Sequence, residues 1–397
     1  MSTVRVGALP TSAAELLGRA ESLTELLRAE APANDSLGHL NDNTVDALRS
    51  AGLLNFCAPE EHGGCGIPPL EALRILETIA IADGSAGWVA MVTNSLAMML
   101  SYLDPAVAAR LCEQGTPMIA GQGAPTGRAT PAEGGFRISG RWSYASGFHV
   151  ADLILGTCLI TRPDGSPQLD ANGAPQVRVF LVPRTHVQAA GNWNVLGLRA
   201  TGSVDYTIES VIVPGDNGID LTGAPTHGGP FAMIGFPAWA LLGHTAAALG
   251  VARHALDEAV VIASSAKGPF APPAYNERVQ AAYAKIEAAL RSARAFVYEQ
   301  WSDLEASILA GEPFSTRHQT MLHLALLHAT TIAEQVATWS YRVGGGTALR
   351  DSALQRCLRD VHAVTQHVLV GDSFYKDCGQ ELLGAAEGKT WGLLGLS

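Results

Sequence analysis

The chain has 397 residues, 26 Lys and Arg against 37 Asp and Glu, and a formal net charge of −11. Hydrophobic residues make up 47% and charged residues 16%, which excludes a self-solvating disordered chain and supplies a large core. An acidic balance with no basic stripe also excludes a nucleic-acid groove, which must neutralise phosphates.

Residues about 11–115 read as helices, because apolar residues recur at i, i+3 and i+4 through Glu15–Leu27, Val45–Leu48 and Leu70–Ala82. Gly63 to Pro69 interrupts them as a loop of residues that need or fix unusual φ. From about 116 to 225 the pattern shifts to short strands, at Phe136–Gly140, Leu153–Ile160, Val177–Val182 and Tyr206–Val213. Turn signals at Glu133-Gly134-Gly135, Pro163-Asp164-Gly165 and Asn172-Gly173 predict antiparallel pairing. Long helical patterns return at Ala247–Ser265, Glu277–Leu309 and Arg317–Tyr341, the signature of a bundle with buried faces. The expectation is an α+β chain in three units: an N-terminal helical domain (1–115), a central antiparallel β-domain (116–228) and a C-terminal four-helix bundle (229–397).

Six cysteines at 57, 65, 112, 158, 357 and 378 show no CxxC spacing, which suits a reduced, cytoplasmic setting. The N-terminus has no apolar stretch after a basic segment, and so does not read as a secretory signal. The apolar run Ala238–Val251 is too short to span a bilayer, so no membrane is expected. His323 and His328 are five apart, not the four of a helical metal pair, and no metal is expected. Gly344-Gly345-Gly346 lacks the spacing of a dinucleotide loop.

Several segments carry a resemblance. Phe56–Gly66 reads FCAPEEHGGCG, Gly140–Gly147 reads GRWSYASG, and Trp193–Ser203 reads WNVLGLRATGS, followed by Val211-Ile212-Val213-Pro214. Gly344-Gly345-Gly346 precedes Leu358-Arg359-Asp360. This order is similar to the acyl-CoA dehydrogenase superfamily over about residues 15–390. With Asp83–Trp88 (DGSAGW), the chain resembles in particular the oxygenase components of two-component flavin monooxygenases.

The resemblance implies reduced FMN or FAD delivered by a separate NAD(P)H:flavin reductase, O2 as co-substrate, and a C4a-(hydro)peroxyflavin that oxygenates a small phenolic or indolic substrate. It also implies a homotetramer. The Gly345 segment then resembles one that meets a neighbouring subunit's cofactor. A flavoprotein acyl-CoA dehydrogenase with a relocated base is the alternative, and a relative that has lost its cofactor is a third reading.

One departure separates these readings. Many dehydrogenases carry a glutamate nine residues beyond the RD arginine, where this chain has Val368, and no Asp or Glu lies between Asp360 and Asp372. Removing a weakly acidic C–H proton needs a positioned acceptor. His367 instead matches the position of a functional histidine in the monooxygenases, and an imidazole titrating near neutrality suits proton transfer to or from a phenol or indole. His362 lies about 140° round an ideal helix from His367 and is expected to face elsewhere.

Ser146 is the second catalytic candidate. Trp142, Trp193, Arg199, Thr201, Gly202, Ser203 and Gly345 are cofactor candidates, with Lys267 or Arg278 for a phosphate. His149, Phe236 and Trp239 are substrate candidates, with Phe231 and Met233 beside them. For the tryptophans and Phe236, ordinary core packing is the competing reading.

Overall fold

The computed structural model describes residues 12–170, 173–265, 271–392 and 395–396. The N-terminal helices are α1 (Ala13–Ser22), α2 (Thr24–Leu37), α3 (Asp42–Ser50), α4 (Pro69–Ala82), α5 (Gly84–Ala97) and α6 (Pro105–Leu111). Side chains satisfy backbone N–H groups at their starts: Ser12 caps α1, Asn41 caps α3 and Asp83 caps α5. A sheet follows, made of β1 (Ile119–Ala120), β2 (Gly127–Ala132), β3 (Gly135–Ala145), β4 (Leu153–Ile160), β5 (Val177–Pro183), β6 (Val187–Ala189), β7 (Val204–Val213) and β8 (Gly218–Ile219). The chain returns to helices in α7 (Gly235–Ser264), α8 (Glu277–Leu309), α9 (Thr316–Gly344), α10 (Ala353–Val364) and α11 (Asp372–Leu382), and closes with the short pair β9 (Trp391–Gly392) and β10 (Gly395–Leu396).

The sheet is mixed, which corrects the expected antiparallel unit. Its order is β6-β7-β3-β2-β4-β5-β8, and β1 and β2 both run parallel to β4, pairing with successive stretches of it. The turn at Glu133-Gly134 does form the β2–β3 hairpin, and β4–β5 and β3–β7 are antiparallel. The parallel pair arises because residues 146–152 cross from β3 to β4 instead of turning back tightly, and period-two patterning carries no strand direction. Of the Asn172-Gly173 turn signal, residue 172 lies outside the described residues.

α7 is the axis of the helical part. Every residue from Ala238 to Ala252 is buried, and α4, α5, α9 and α10 all pack on it. It is long and apolar enough to cross a membrane, yet 89% of its most apolar stretch is buried by protein, so it is the core helix. α8 buries only Leu290, Ala293, Val297, Trp301 and Leu304, a narrow stripe of period three to four that docks one face and leaves the others exposed.

Close packing of α4, α5 and α7 depends on missing side chains. A Cβ on Gly250 would lie 2.5 Å from Ala80 Cβ, and one on Gly87 would lie 2.6 Å from Ala80 Cα. Both contacts are shorter than carbon atoms tolerate, and the Gly87 contact is to backbone that cannot rotate away. Gly250→Ala should therefore lower unfolding free energy by about 1–3 kcal/mol, the usual cost of overpacking. Urea denaturation checks this: an unchanged midpoint would mean that the three helices are not locked at Ala80.

Candidate active site

The position of His367 follows from where α10 stops. The helix ends at Val364, and His367 stands beyond it in extended conformation (φ −71°, ψ 140°), opening a short turn over Val368–Val370. The helical angle expected between His362 and His367 therefore does not apply, although the two do diverge: His362 lies 3.8 Å from Glu334, and His367 turns inward to α7. There its Nε2 is 3.2 Å from Nε2 of His244.

Geometry fixes the protons of this pair. His244 Nδ1 is 2.7 Å from the Ala240 carbonyl, which can only accept, so His244 carries its hydrogen on Nδ1 and presents a lone pair at Nε2. His367 Nδ1 accepts the Leu369 N–H, so its hydrogen is on Nε2 and points at His244. Burial depresses the pKa of His244 to about 4 despite the Ala240 bond. Burial, and then the His244 ring, hold His367 well below the ordinary histidine range. Both rings are neutral at pH 7. The sequence-based expectation of an imidazole titrating near neutrality is corrected by this burial.

Trp88 of α5 joins the histidines to a row of hydroxyls. Its ring meets His244 and His367 edge-on, with centroids 5.1 and 5.7 Å away. Its Nε1 donates to Ser146 Oγ at 3.1 Å. Ser146 is 2.6 Å from Ser203 Oγ, Ser203 is 2.6 Å from Thr201 Oγ1, and Thr201 donates to the Leu198 carbonyl at 2.7 Å. An indole N–H can only donate and a carbonyl can only accept, so the row has one direction. Ser146 must donate to Ser203 and Ser203 to Thr201. The hydrogens of Ser146, Ser203 and Thr201 are thus committed, and their free capacity is lone pairs.

The segment that carries Thr201 and Ser203 is held by α10. Asp360 Oδ1 accepts the Leu198 N–H at 2.6 Å, and Arg359 donates to the Leu196 carbonyl at 3.0 Å and to Asp35 of α2 at 3.0 Å. Gly197 passes so close that a Cβ would lie 2.0 Å from the Arg359 carbonyl oxygen. Burial raises Asp360 to about 7, against the Leu198 N–H that favours its anion. Gly202 has φ +55°, and a Cβ there would come within 2.8 Å of His149 Cδ2. His149 stacks on His39 at 4.2 Å and so belongs to the outer side of this segment rather than to the histidine pair. Arg199 lies 3.7 Å from Asp35, and Trp193 donates to the Arg199 carbonyl at 3.0 Å.

Trp142 is core, which corrects its candidacy as a ring covering a cofactor. It is buried, stacks on Tyr206 at 5.4 Å and donates to the Thr157 carbonyl. The two-residue period would put Trp142 and Tyr144 on one face, but a register shift between Trp142 and Ala145 breaks the alternation and turns Tyr144 outward. Tyr144 has φ +65°, is 62% exposed and meets Trp193 edge-on at 6.3 Å. With Leu196, 64% exposed, they make an apolar surface beside the 196–203 segment.

Trp239, Phe231, Met98 and Ile67 line a cavity of about 160 Å3. Trp239 precedes His244 on α7 by five residues, roughly 7–8 Å along the axis. Phe236 is half-buried and donates its N–H to Tyr102, and Met233 is exposed. Arg278 is exposed in the first turn of α8, which packs mainly on α9, and Gly345 is exposed at the end of α9. Neither joins the cluster within one chain. Lys267 lies outside the described residues.

The structure brings the sequence candidates His367, Ser146, Thr201 and Ser203 into one cluster and adds Trp88 and His244, which the sequence did not single out. The signals were present. Trp88 ends the DGSAGW motif, and His244 is a polar residue inside the apolar run of α7.

Residues 20–113 match the family model of the acyl-CoA dehydrogenase N-terminal domain, and residues 242–371 match that of the C-terminal domain. The chain belongs to the acyl-CoA dehydrogenase family. Within it, the chain is 32% identical over 389 residues to an indole-3-acetate monooxygenase of Pseudomonas putida, covering 97% of this chain and 98% of that one. It is 27% identical to the flavin-dependent monooxygenase oxygenase subunit HsaA of Rhodococcus jostii, covering 88% and 93%. Among solved structures, 3-HSA hydroxylase from Rhodococcus sp. RHA1 superposes with a TM-score of 0.84 at 23% identity, over 93% of this chain and 97% of that one. Dibenzothiophene monooxygenase from Paenibacillus sp. does so with a TM-score of 0.79 at 23% identity, over 93% and 97%. These structural likenesses establish the fold.

The buried histidines predict acid lability. An unfolded histidine takes up a proton near pH 6.5, whereas folded His244 and His323 wait until about pH 4 and His367 is also held down. Their contribution is complete above pH 6.5 and is lost as pH falls toward 4, on the order of 3 kcal/mol for His244 alone. Asp360, raised to about 7, His254, raised to about 10, and Asp83, raised by burial, act oppositely, so the pair is read from the difference between variant and wild type. Between pH 7.5 and pH 5, the urea midpoint of His244→Gln should lose less, or gain more, than that of wild type. An identical pH dependence in the two proteins would contradict the neutral pair.

Proposed function

We propose that the chain is the oxygenase component of a two-component flavin-dependent monooxygenase. It uses reduced FMN or FAD and O2 to oxygenate a small aromatic substrate, phenolic or indolic, with reduced flavin supplied by a separate NAD(P)H:flavin reductase. The observation that carries this reading is the neutral His367–His244 pair against Trp88, in a turn that offers no carboxylate. Kinship with the indole-3-acetate monooxygenase and the HsaA oxygenase subunit supports it, and Asp360, committed to the Leu198 N–H, is poorly placed to serve as a relocated dehydrogenase base.

The residues present suit a flavin. Tyr144, Trp193 and Leu196 offer apolar surface for a ring system beside the segment that carries Thr201 and Ser203. Ser146 and Ser203 have lone pairs free, which match an N–H donor such as the reduced ring carries and the oxidised ring lacks at N5. Bound reduced flavin supplies the electrons that activate O2. Trp88 holds Ser146 in place and walls off the histidines, excluding water from the reacting atoms. His367 Nε2–H is the hydrogen of the pair that can be redirected to a reacting oxygen. His244 Nε2 is the lone pair that can take the proton a phenolic O–H or indolic N–H gives up.

Arg278 or Lys267 for the flavin phosphate, and Gly345 near a cofactor, belong to a homotetramer in which a second copy completes the site. Exposed Leu349, Leu383, Tyr275 and Val261 on the helical part favour such burial. The same reading places the protein in the cytoplasm, and makes Trp239 and Phe236, on the α7 side that carries His244, the substrate-side residues.

Stopped-flow mixing of the anaerobic protein and reduced flavin with oxygen, with indole or phenol present, tests the assignment. Wild type should convert flavin oxidation into oxygenated product. His367→Ala should still bind and oxidise reduced flavin while product falls by about 10²-fold or more, the span of a lost acid–base group, and hydrogen peroxide rises to match. Unchanged coupling would remove His367 from the reaction. Bleaching of bound oxidised FAD by an acyl-CoA would favour the dehydrogenase instead.

A further inference from the structure

We propose that Glu61, His62 and His227 form a binding site for a divalent transition-metal ion of the zinc class, independent of the flavin chemistry. The site joins two segments far apart in sequence. Glu61 and His62 end the short turn Glu60–His62 of the Gly63-Gly64 loop, and His227 lies in the link between β8 and α7. One ligand atom from each residue lies within 4.8 Å of the others. The two histidines are 165 residues apart, so no search for local spacing would have paired them.

The supporting observation is the Thr226 hydroxyl, whose oxygen lies 3.1 Å from His227 Nδ1 and 3.2 Å from the carbonyls of both Ser101 and Leu103. When its single hydrogen goes to a carbonyl, the oxygen accepts the Nδ1–H of His227, and the His227 lone pair then lies on Nε2, 3.0 Å from His62 Nε2. This is the outer support that metal-ligating histidines use, with the distal N–H held by an oxygen so that the other nitrogen is free to ligate.

The spacing also suits an ion. With metal–nitrogen bonds of about 2.0–2.1 Å, two ligands at a tetrahedral angle stand about 3.3–3.4 Å apart, a few tenths more than is found here. The rings meet at 90°, and His62 is 7% exposed with its carbonyl bound by the Thr116 hydroxyl at 2.6 Å, so one ligand is already immobile. Glu61 is exposed and can rotate inward. Two imidazoles and a carboxylate form a donor set that suits zinc, leaving a position for water. An ion there would tie together the two segments that flank the 160 Å3 cavity, whose lining includes Glu60, Glu61, Gly228 and Gly229.

The test uses tag-free, chelator-treated full-length protein titrated with Zn2+ against a chromophoric chelator, and with Co2+ followed by its visible absorption. The expected result is one ion per chain, a tetrahedral-type Co2+ spectrum, and a melting temperature that rises with Zn2+ by mass action. His227→Gln should abolish the spectrum. Thr226→Val, which keeps all three ligands, should weaken binding 10–100-fold, as loss of the outer support does elsewhere. Absence of stoichiometric binding in wild type, or binding unchanged in Thr226→Val, would overturn the proposal. Thr226→Val keeps the test decisive should His227→Gln fail to fold.

Discussion

Burial of α7 on every side is the constraint on which the rest depends. A helix with no exposed face through Ala238–Ala252 must be met by α4, α5, α9 and α10 at close range, and Gly250, Gly87 and Ala80 let α4 and α5 approach. Once that contact is set, Trp88 of α5 and His244 of α7 are neighbours by necessity. A polar ring in this environment must find a partner or pay for desolvation, and His244 finds the Ala240 carbonyl on one side and His367 on the other. The histidine pair is in this sense the solution to a packing problem.

Directionality is the second consequence. An indole donor at one end and a carbonyl acceptor at the other orient every hydroxyl between Trp88 and Leu198. The Ala240 carbonyl and the Leu369 N–H orient the two imidazoles in the same way. A site whose hydrogens are fixed before a ligand arrives has less reorganisation to do during reaction.

α10 connects the two halves. Arg359 and Asp360 grip Leu196–Leu198, which sets Thr201 and Ser203, while the same helix ends in time for His367 to turn toward α7. Leu198 holds φ +52°, a conformation a leucine rarely adopts, and the grip of Asp360 on its N–H fits that cost. A buried carboxyl raised to about 7 by its surroundings is therefore part of the scaffold rather than of the chemistry.

Much was legible in the sequence. Periodicity alone separated helices, strands and long helices, because 3.6- and two-residue repeats record which faces are buried. The GRWSYASG and LGLRATGS segments pointed to Ser146, Thr201 and Ser203, and the missing carboxylate beyond Asp360 pointed to His367. What the sequence could not hold was partnership and direction. Strand alternation does not say which way a strand runs, so the mixed sheet came only with the fold, and a break in that alternation after Trp142 turned Tyr144 outward. A helical angle between His362 and His367 failed because α10 ends between them. His244 pairs with His367 across 123 residues, and the pKa of each follows from burial by segments remote in the chain. Residue type and local period determined what each side chain could do; tertiary contact decided which of them meet, which proton each holds, and in which charge state.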